Sequence, residues 1–126
     1  VAPAYFFGEK IKKHQVHVWM INTGWSGGPY GVGNRMKLSY TRAMITAALE
    51  GKLDEVDYEA HPVFGVHMPL ECPGVPSELL NPRNTWKDKS EYDLKAKALA
   101  GKFVENFKRF ADHAGEEILA AAPKYE

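Results

Sequence analysis

Residues 16–36 read VHVWMINTGWSGGPYGVGNRM, and this stretch decides the fold class. Its first seven residues, 16–22, are rich in β-branched and aromatic side chains and almost continuously hydrophobic, which predicts a strand buried on both faces. Five glycines then fall between positions 24 and 33, a density that is typical of a loop. We therefore expect an interior strand of a helix-covered sheet, followed by a glycine loop.

Helices are predicted on both sides of this unit. Residues 5–14 place apolar side chains on one face and gather lysines at the end, as suits a helix C-terminus. After the loop, Ser39 is a candidate N-cap for a second helix, and Gly51 supplies a left-handed stop. The apolar stripe of this second helix consists of Met44, Ile45, Ala48 and Leu49.

The second half of the chain predicts a short edge strand and then an extended connection. Between residues 56 and 69, apolar side chains alternate from Phe64 to Met68, between two prolines that suit a sheet edge. Residues 71–86 contain three prolines, two asparagines and a glycine, which indicates a connection that runs over the surface.

A long C-terminal helix is predicted from Ser90, because Ser90 followed by Asp93 resembles a capping box. The face expected to pack on the core consists of Tyr92, Ala96, Leu99, Phe103, Phe107 and Phe110. A shorter helix is predicted over residues 114–122, before Pro123. The whole pattern predicts a mixed α/β fold, with a short sheet flanked by helices, in one domain over residues 1–126.

Composition excludes several function classes. Sixteen basic residues balance sixteen acidic ones without a block of one sign, which disfavours nucleic acid and anionic membranes as partners. No apolar run reaches the roughly 20 residues that cross a bilayer, and no secretory signal pattern is visible, so we expect a cytoplasmic protein. Cys72 is the single cysteine, in a turn sequence typical of a structural thiol. His14 and His17 are three residues apart but straddle a predicted helix-to-strand junction, and His61 and His67 lack a nearby cysteine or carboxylate set, so a metal site is disfavoured.

The spacing of the glycines leaves the chemistry of the loop open. Gly28 and Gly33 fit the glycines of the phosphate-binding pattern G-x-x-x-x-G-K-[ST], but Asn34 and Arg35 stand where the lysine and hydroxyl belong. The dinucleotide pattern G-x-G-x-x-G would require glycine at Met36. Spacing alone therefore allows either nucleotide contact or a loop whose glycines serve only its turns.

Four motifs together resemble the ATP-dependent phosphoenolpyruvate carboxykinases. The run INTGWSGGPYGVGNRMKLSYTRAMITAAL, at residues 21–49, is followed by GKLD, MPLECPGVP and LNPRNTW. These motifs look like the C-terminal region of that family, and the similarity extends over about residues 5–123. The resemblance implies a fragment of the family's C-terminal, mononucleotide-binding domain.

The resemblance also implies a parent activity and its partners. Members of the family convert oxaloacetate and ATP to phosphoenolpyruvate, ADP and carbon dioxide in gluconeogenesis, with Mg²⁺ or Mn²⁺. Their phosphate-binding loop, metal ligands and oxaloacetate-binding arginines lie upstream of the matched region. We therefore expect a carboxy-lyase fragment with no catalytic residue and no metal ligand of its own, inactive without the N-terminal remainder of the enzyme.

The family residues that match this chain contact the adenosine side of ATP, and they are Arg35, Met36 and Thr41. A guanidinium can stack on a purine or donate to ribose, a thioether can cover the ring, and a hydroxyl can hydrogen-bond. Asn34 departs from the family, where lysine is frequent, which puts a phosphate contact there in doubt. Without the resemblance, Arg35 would be read as a surface salt-bridge residue and Thr41 as a helix-start hydroxyl.

Two other classes of protein remain open from the sequence. A small stand-alone nucleotide-binding or regulatory module would bind ATP without further chain. A purely structural interaction domain would make no nucleotide contact at Arg35 or Thr41.

Overall fold

The computed structural model of the chain describes residues 2–22 and 24–125. These residues combine helices with two separate two-stranded antiparallel sheets, which confirms the predicted mixture of helix and strand. In this part of the chain, no helix is both long enough and apolar enough to cross a membrane.

The elements alternate between short hairpins and helices along the chain. The strands are β1 (Trp25–Ser26), β2 (Asn34–Arg35), β3 (Tyr58–Ala60) and β4 (His67–Pro69). The helices are α1 (Ala2–His14), α2 (Leu38–Leu49), α3 (Pro82–Thr85), α4 (Lys89–Phe107) and α5 (Glu116–Ala120). Two 3₁₀ turns lie at Ser77–Leu79 and Lys108–His113.

The strand predicted over residues 16–22 is wrong for this chain. These residues form neither strand nor helix, and Val18 and Met20 are 56% and 85% exposed. β1 pairs with β2 and β3 pairs with β4, and among the described residues no strand pairs with this segment. Val16, Val18 and Met20 are exposed, whereas Trp19 is partly buried against the core.

Helix α2 confirms the predicted stop but not the predicted cap. Lys37 occupies the N-cap position without a side-chain bond, and Ser39 lies inside the first turn. At the other end Gly51 has φ +69°, and the Lys52 amide donates to the Ala47 carbonyl at 2.9 Å. That bond is the C-terminal pattern in which a left-handed glycine closes a helix.

The core lies between α2 and the segment that follows it. It consists of Ala47, Leu53, Cys72 and Val75. Met44 and Ala48 pack against this core as predicted, whereas Ile45 and Leu49 are 43% and 83% exposed. The observed stripe includes Tyr40, Ala43 and Ala47, so the buried face is rotated from the predicted one.

The region between residues 56 and 86 holds more structure than the sequence indicates. Instead of one edge strand it forms the β3–β4 hairpin, with Glu59 opposite Met68, and Phe64 lies in the turn. The predicted surface connection contains an antiparallel bridge between Cys72 and Val75, a 3₁₀ turn and α3. Short elements of this kind leave no periodic pattern for sequence analysis to detect.

Helix α4 is present, but its cap and its buried face differ from the prediction. Asp88 is the N-cap, since its Oδ1 accepts from the Ser90 amide at 2.8 Å, and Asp93 forms no capping box. The buried residues are Ala96 and Ala100, whereas Phe103 is 54% exposed. The small side chains of Ala96 and Ala100 therefore form the buried part of the helix, while Phe103 lies largely outside it.

Candidate functional site

The glycine loop forms the turn of the β1–β2 hairpin and leads directly into α2. The amides of Val32 and Gly33 both donate to the Pro29 carbonyl, at 3.0 and 2.9 Å. At the base of the hairpin, the Met36 amide donates to the Gly24 carbonyl at 3.0 Å. Backbone bonds therefore give the loop its shape.

Two glycines in this loop cannot be replaced without movement of the backbone. A Cβ at Gly33 would lie 2.6 Å from the Ser26 carbonyl oxygen and would also overlap the Gly28 carbonyl. Gly27 has φ +82°, and a Cβ there would lie 2.9 Å from the Thr85 carbonyl oxygen in α3. The loop thus packs backbone against backbone, both within itself and on α3.

Arg35 is an exposed residue of β2 at the end of the glycine loop. Among residues 2–22 and 24–125 it has no acidic partner, so the surface salt bridge that the sequence left open is not formed. Its guanidinium is available to a ligand at the surface of the hairpin.

Met36 and Thr41 lie close to Arg35 along the chain but differ in their surroundings. Met36 lines a cavity of about 920 Å³, whereas neither Arg35 nor Thr41 lines it. Thr41 is 8% exposed and lies in the first turn of α2. The structure brings the three residues to one junction of loop and helix, without placing them all on the cavity wall.

The cavity itself is bordered by the 17–22 segment, the glycine loop, the β3–β4 hairpin and α3. Aromatic and thioether side chains dominate its wall, including those of Trp19, Trp25, Met36, Met44, Tyr58 and Trp86. Polar side chains on the wall include His17 and Asp54, whose Nδ1 and Oδ1 are 3.1 Å apart. Such a wall suits a flat apolar group better than a phosphate.

Sequence analysis missed an aromatic pair within the loop. The rings of Trp25 and Tyr30 meet edge to face, with centroids 5.1 Å apart, and the two residues are 47% and 84% exposed. The signal that could have indicated this pair is the presence of two large aromatic side chains in a loop that consists largely of glycines. The pair offers a surface on which a planar ligand can stack.

Sequence analysis also missed a buried histidine that supports the turn of the β3–β4 hairpin. His61 is 4% exposed, and its Nδ1 accepts from the amides of Val63 and Phe64 at 3.1 and 3.2 Å. Because Nδ1 accepts, Nε2 carries the proton and donates to the Tyr92 hydroxyl at 2.7 Å. Burial lowers the pKa of His61, so the imidazole is neutral and supports the turn.

The remaining polar groups have structural surroundings. Arg83 donates to both carboxylate oxygens of Asp93, and this hydrogen bonding holds the pKa of Asp93 below its usual value. Burial raises the pKa of the Cys72 thiol, which keeps it protonated and unreactive. In the described residues, no three metal-binding side chains come together.

The fold and the site define the class: a mixed α/β chain in which a glycine-rich hairpin leads directly into a helix. A family model described as phosphoenolpyruvate carboxykinase matches residues 2–78. The chain belongs to this family, as the motifs around the glycine loop indicated.

Curated relatives extend the similarity over nearly the whole chain. The chain is 61% identical over 120 residues to the phosphoenolpyruvate carboxykinase (ATP) of Christiangramia forsetii, covering 95% of this chain and 23% of that protein. It is 54% identical over 123 residues to the protein of the same name from Thermus thermophilus, covering 98% of this chain and 23% of the relative. The chain therefore spans about a quarter of the length of these relatives.

Proposed function

We propose that this chain is the C-terminal part of an ATP-dependent phosphoenolpyruvate carboxykinase, within one larger ATP-binding domain. The parent reaction converts oxaloacetate and ATP to phosphoenolpyruvate, ADP and carbon dioxide. Relatives from distant organisms share this name at 54–61% identity, and each aligns with almost all of the chain. In this proposal the chain supplies the adenosine side of the ATP site.

The extent of the family match supports the C-terminal placement. The family model ends at residue 78, although the relatives align over 95% or more of the chain at high identity. An alignment that continues past the end of the model is expected where a chain crosses the C-terminal boundary of that model. Locating this stretch in a full-length relative tests the placement, and a position near the N-terminus would contradict it.

The chemistry of the described residues suits contacts to the nucleoside, and the metal and the phosphoryl transfer are assigned to the rest of the enzyme. Arg35 can stack on or donate to the nucleoside, Met36 can cover one face of the base, and Thr41 can offer its hydroxyl. Mg²⁺ or Mn²⁺ would be held elsewhere in the enzyme, since residues 2–22 and 24–125 bring no set of three metal ligands together. The phosphoryl transfer is therefore assigned to no residue of this chain.

The adenosine proposal rests on Arg35, whose exposed guanidinium has no acidic partner within residues 2–22 and 24–125. A contact to the non-reacting end of ATP is the same in the ground and transition states, so its loss weakens binding and spares the chemical step. In the full-length enzyme, Arg35→Ala is expected to raise the KM for ATP about 10-fold, as for a lost charged hydrogen bond. Thr41→Val should raise it less, and kcat should change little in both.

Steady-state kinetics on these variants decides the proposal. Arg109→Ala is a matched control, because Arg109 is also exposed but lies over the Phe110 ring outside the loop, and it should leave the KM for ATP unchanged. If Arg35→Ala leaves the KM for ATP unchanged, or abolishes turnover at saturating ATP, Arg35 is not an adenosine contact.

A further inference from the structure

We propose that Arg83 and Asp93 are positioning residues for the ATP site: they fix α3, and α3 holds the glycine loop in place. This inference rests on the proposed function, because ATP is the ligand whose binding the loop would affect. Neither residue lies in the glycine loop, so both would act through the backbone that connects them to it.

Helix α3 is too short to be stable by itself. It has four residues, whereas isolated helices below about 12 residues are marginal in water. Two local bonds define its shape: the Asn81 Oδ1 accepts from the Arg83 amide at 3.1 Å, and the Thr85 hydroxyl donates to the Pro82 carbonyl at 2.7 Å. These bonds fix the turn but do not fix its position in the molecule.

The Arg83–Asp93 pair supplies that position. Nε of Arg83 is 2.8 Å from one carboxylate oxygen of Asp93, and Nη2 is 2.9 Å from the other. A two-bond fork fixes orientation as well as distance, which a single ion contact does not. Asp93 belongs to the 19-residue helix α4, so the fork joins a single turn to the longest helix of the chain. The edge-to-face contact of Trp86 with Tyr92, at 5.6 Å, reinforces the same junction.

The other side of α3 meets the glycine loop. The Thr85 carbonyl faces Gly27 so closely that a Cβ at Gly27 would lie 2.9 Å from its oxygen. Pro82 and Trp86 also border the cavity that Gly27 and Met36 line. Movement of α3 therefore changes the space open to Gly27, and through the pairing of Trp25 with Arg35 it reaches the proposed adenosine contact.

This positioning role can be separated from a stabilising role. Both partners are partly exposed, with side chains 40% and 46% accessible, and exposed ion pairs contribute little to stability. Removing the pair should leave the enzyme folded but loosen the loop. A purely stabilising pair would lower the melting temperature without any selective effect on ATP.

The first experiment measures amide hydrogen exchange in the full-length enzyme. In Asp93→Asn, which keeps the shape and removes the charge, the bonded amides of Val32, Gly33 and Met36 are expected to exchange about threefold to tenfold faster. The Lys52 amide at the end of α2 is the internal control and should be unaffected. Asp93→Glu, which restores a carboxylate, should fall between Asn and the natural residue. Unchanged exchange of the loop amides in Asp93→Asn would overturn the inference, whatever the enzyme kinetics show.

The second experiment compares two glycines that share a backbone conformation. Gly27 and Gly31 have φ of +82° and +87°, but only Gly27 would place a Cβ against Thr85. Gly27→Ala should raise the KM for ATP several-fold more than Gly31→Ala, and Asp93→Asn should raise it about threefold, with kcat and the KM for oxaloacetate preserved. Equal effects at the two glycines would count against the contact with α3.

Arg35→Ala in the same assay separates the two proposals. If Arg35→Ala raises the KM for ATP and Asp93→Asn does not, the positioning inference fails and the proposed function stands. If Arg35→Ala has no effect, the proposed adenosine contact of Arg35 fails, and hydrogen exchange still decides whether the pair holds the loop.

Discussion

The two hairpins of this chain are built on the same plan but are held by different means. In β1–β2 two residue pairs enclose a loop that glycines and backbone bonds shape, while in β3–β4 three pairs enclose a turn held by a buried imidazole. The first hairpin presents exposed Arg35, and the second buries Met68. A loop shaped by its own backbone leaves its side chains free to contact a ligand, whereas a turn supported by a buried side chain contributes to the core.

The largest expected effect is at Gly33, where an added methyl would break the first hairpin. Gly33→Ala forces the new Cβ against the carbonyls of Ser26 and Gly28, so one strand must move. We expect the free energy of unfolding to fall by more than about 3 kcal/mol. Gly65→Ala in the second hairpin is the control: it has φ +69° but no atom within 4 Å of the new Cβ, and should cost about 1 kcal/mol. Chemical denaturation that ranks the two variants in the opposite order would contradict this account.

The next largest effect is expected in the second hairpin, at His61. His61→Ala leaves the amides of Val63 and Phe64 without their acceptor and the Tyr92 hydroxyl without its donor. The free energy of unfolding should fall by about 2 kcal/mol, because unsatisfied buried donors are costly. Tyr92→Phe removes only one of these bonds and should cost about half as much. A negligible loss in His61→Ala would show that water replaces the imidazole freely.

Acid should weaken the second hairpin, through His61, at a higher pH than it weakens the Arg83–Asp93 pair. Burial lowers the pKa of His61 in the folded chain below its ordinary 6.5, so the unfolded chain takes up a proton first as pH falls. The contribution of His61 is complete above about pH 6.5 and is lost on acidification below it. The loss due to Asp93 comes at lower pH, because its ordinary pKa is 3.8 and hydrogen bonding to Arg83 lowers it. The free energy of unfolding, measured by chemical denaturation between pH 7.5 and 5, should decrease as the pH falls, and this decrease should disappear in His61→Ala. A decrease that persists in the variant would point to another group.

The smallest effect is expected at Phe103, which touches the turn of the second hairpin. Its ring meets Phe64 edge to face at 6.3 Å, but the residue is 54% exposed. Phe103→Ala should therefore cost less than about 1 kcal/mol, well under the 3–5 kcal/mol of a buried aromatic. Ala100, by contrast, is fully buried. Ala100→Leu should lower the free energy of unfolding by about 1–3 kcal/mol, because the larger side chain overpacks the site. A larger loss at Phe103 than at Ala100 would place the aromatic face in a core.

Sequence patterns predicted the elements whose cause is local. Lysines at the end of α1, the glycine density of the loop and the left-handed Gly51 act within a few residues, and each was confirmed. The cap of α4 is also local, but the prediction placed it at Ser90, whereas the Asp88 carboxylate accepts from the amides of Ser90 and Glu91; aspartate and serine both favour the N-cap position. A propensity ranks such candidates without choosing between them.

Patterns failed where burial depends on residues distant in the sequence. The apolar run at 16–22 and the aromatic face around Phe103 both contain exposed side chains in this chain, which spans 23% of the length of a relative. His61 and the Arg83–Asp93 pair join positions 31 and 10 residues apart, which no helix or strand period relates. At the site, the resemblance selected Arg35, Met36 and Thr41, and their contacts with ATP remain a prediction.

The close approach of Gly27 to the Thr85 carbonyl has a consequence for how such proteins diverge. A contact made by two backbones contains no side-chain pair, so a change at one position cannot be compensated by a matching change at the other. Related chains should therefore show no coordinated substitution between positions 27 and 85, while positions 83 and 93, joined by charge, are free to change together. The backbone contact between positions 27 and 85 would thus leave no co-evolutionary signal, and the signal would appear at positions 83 and 93 instead.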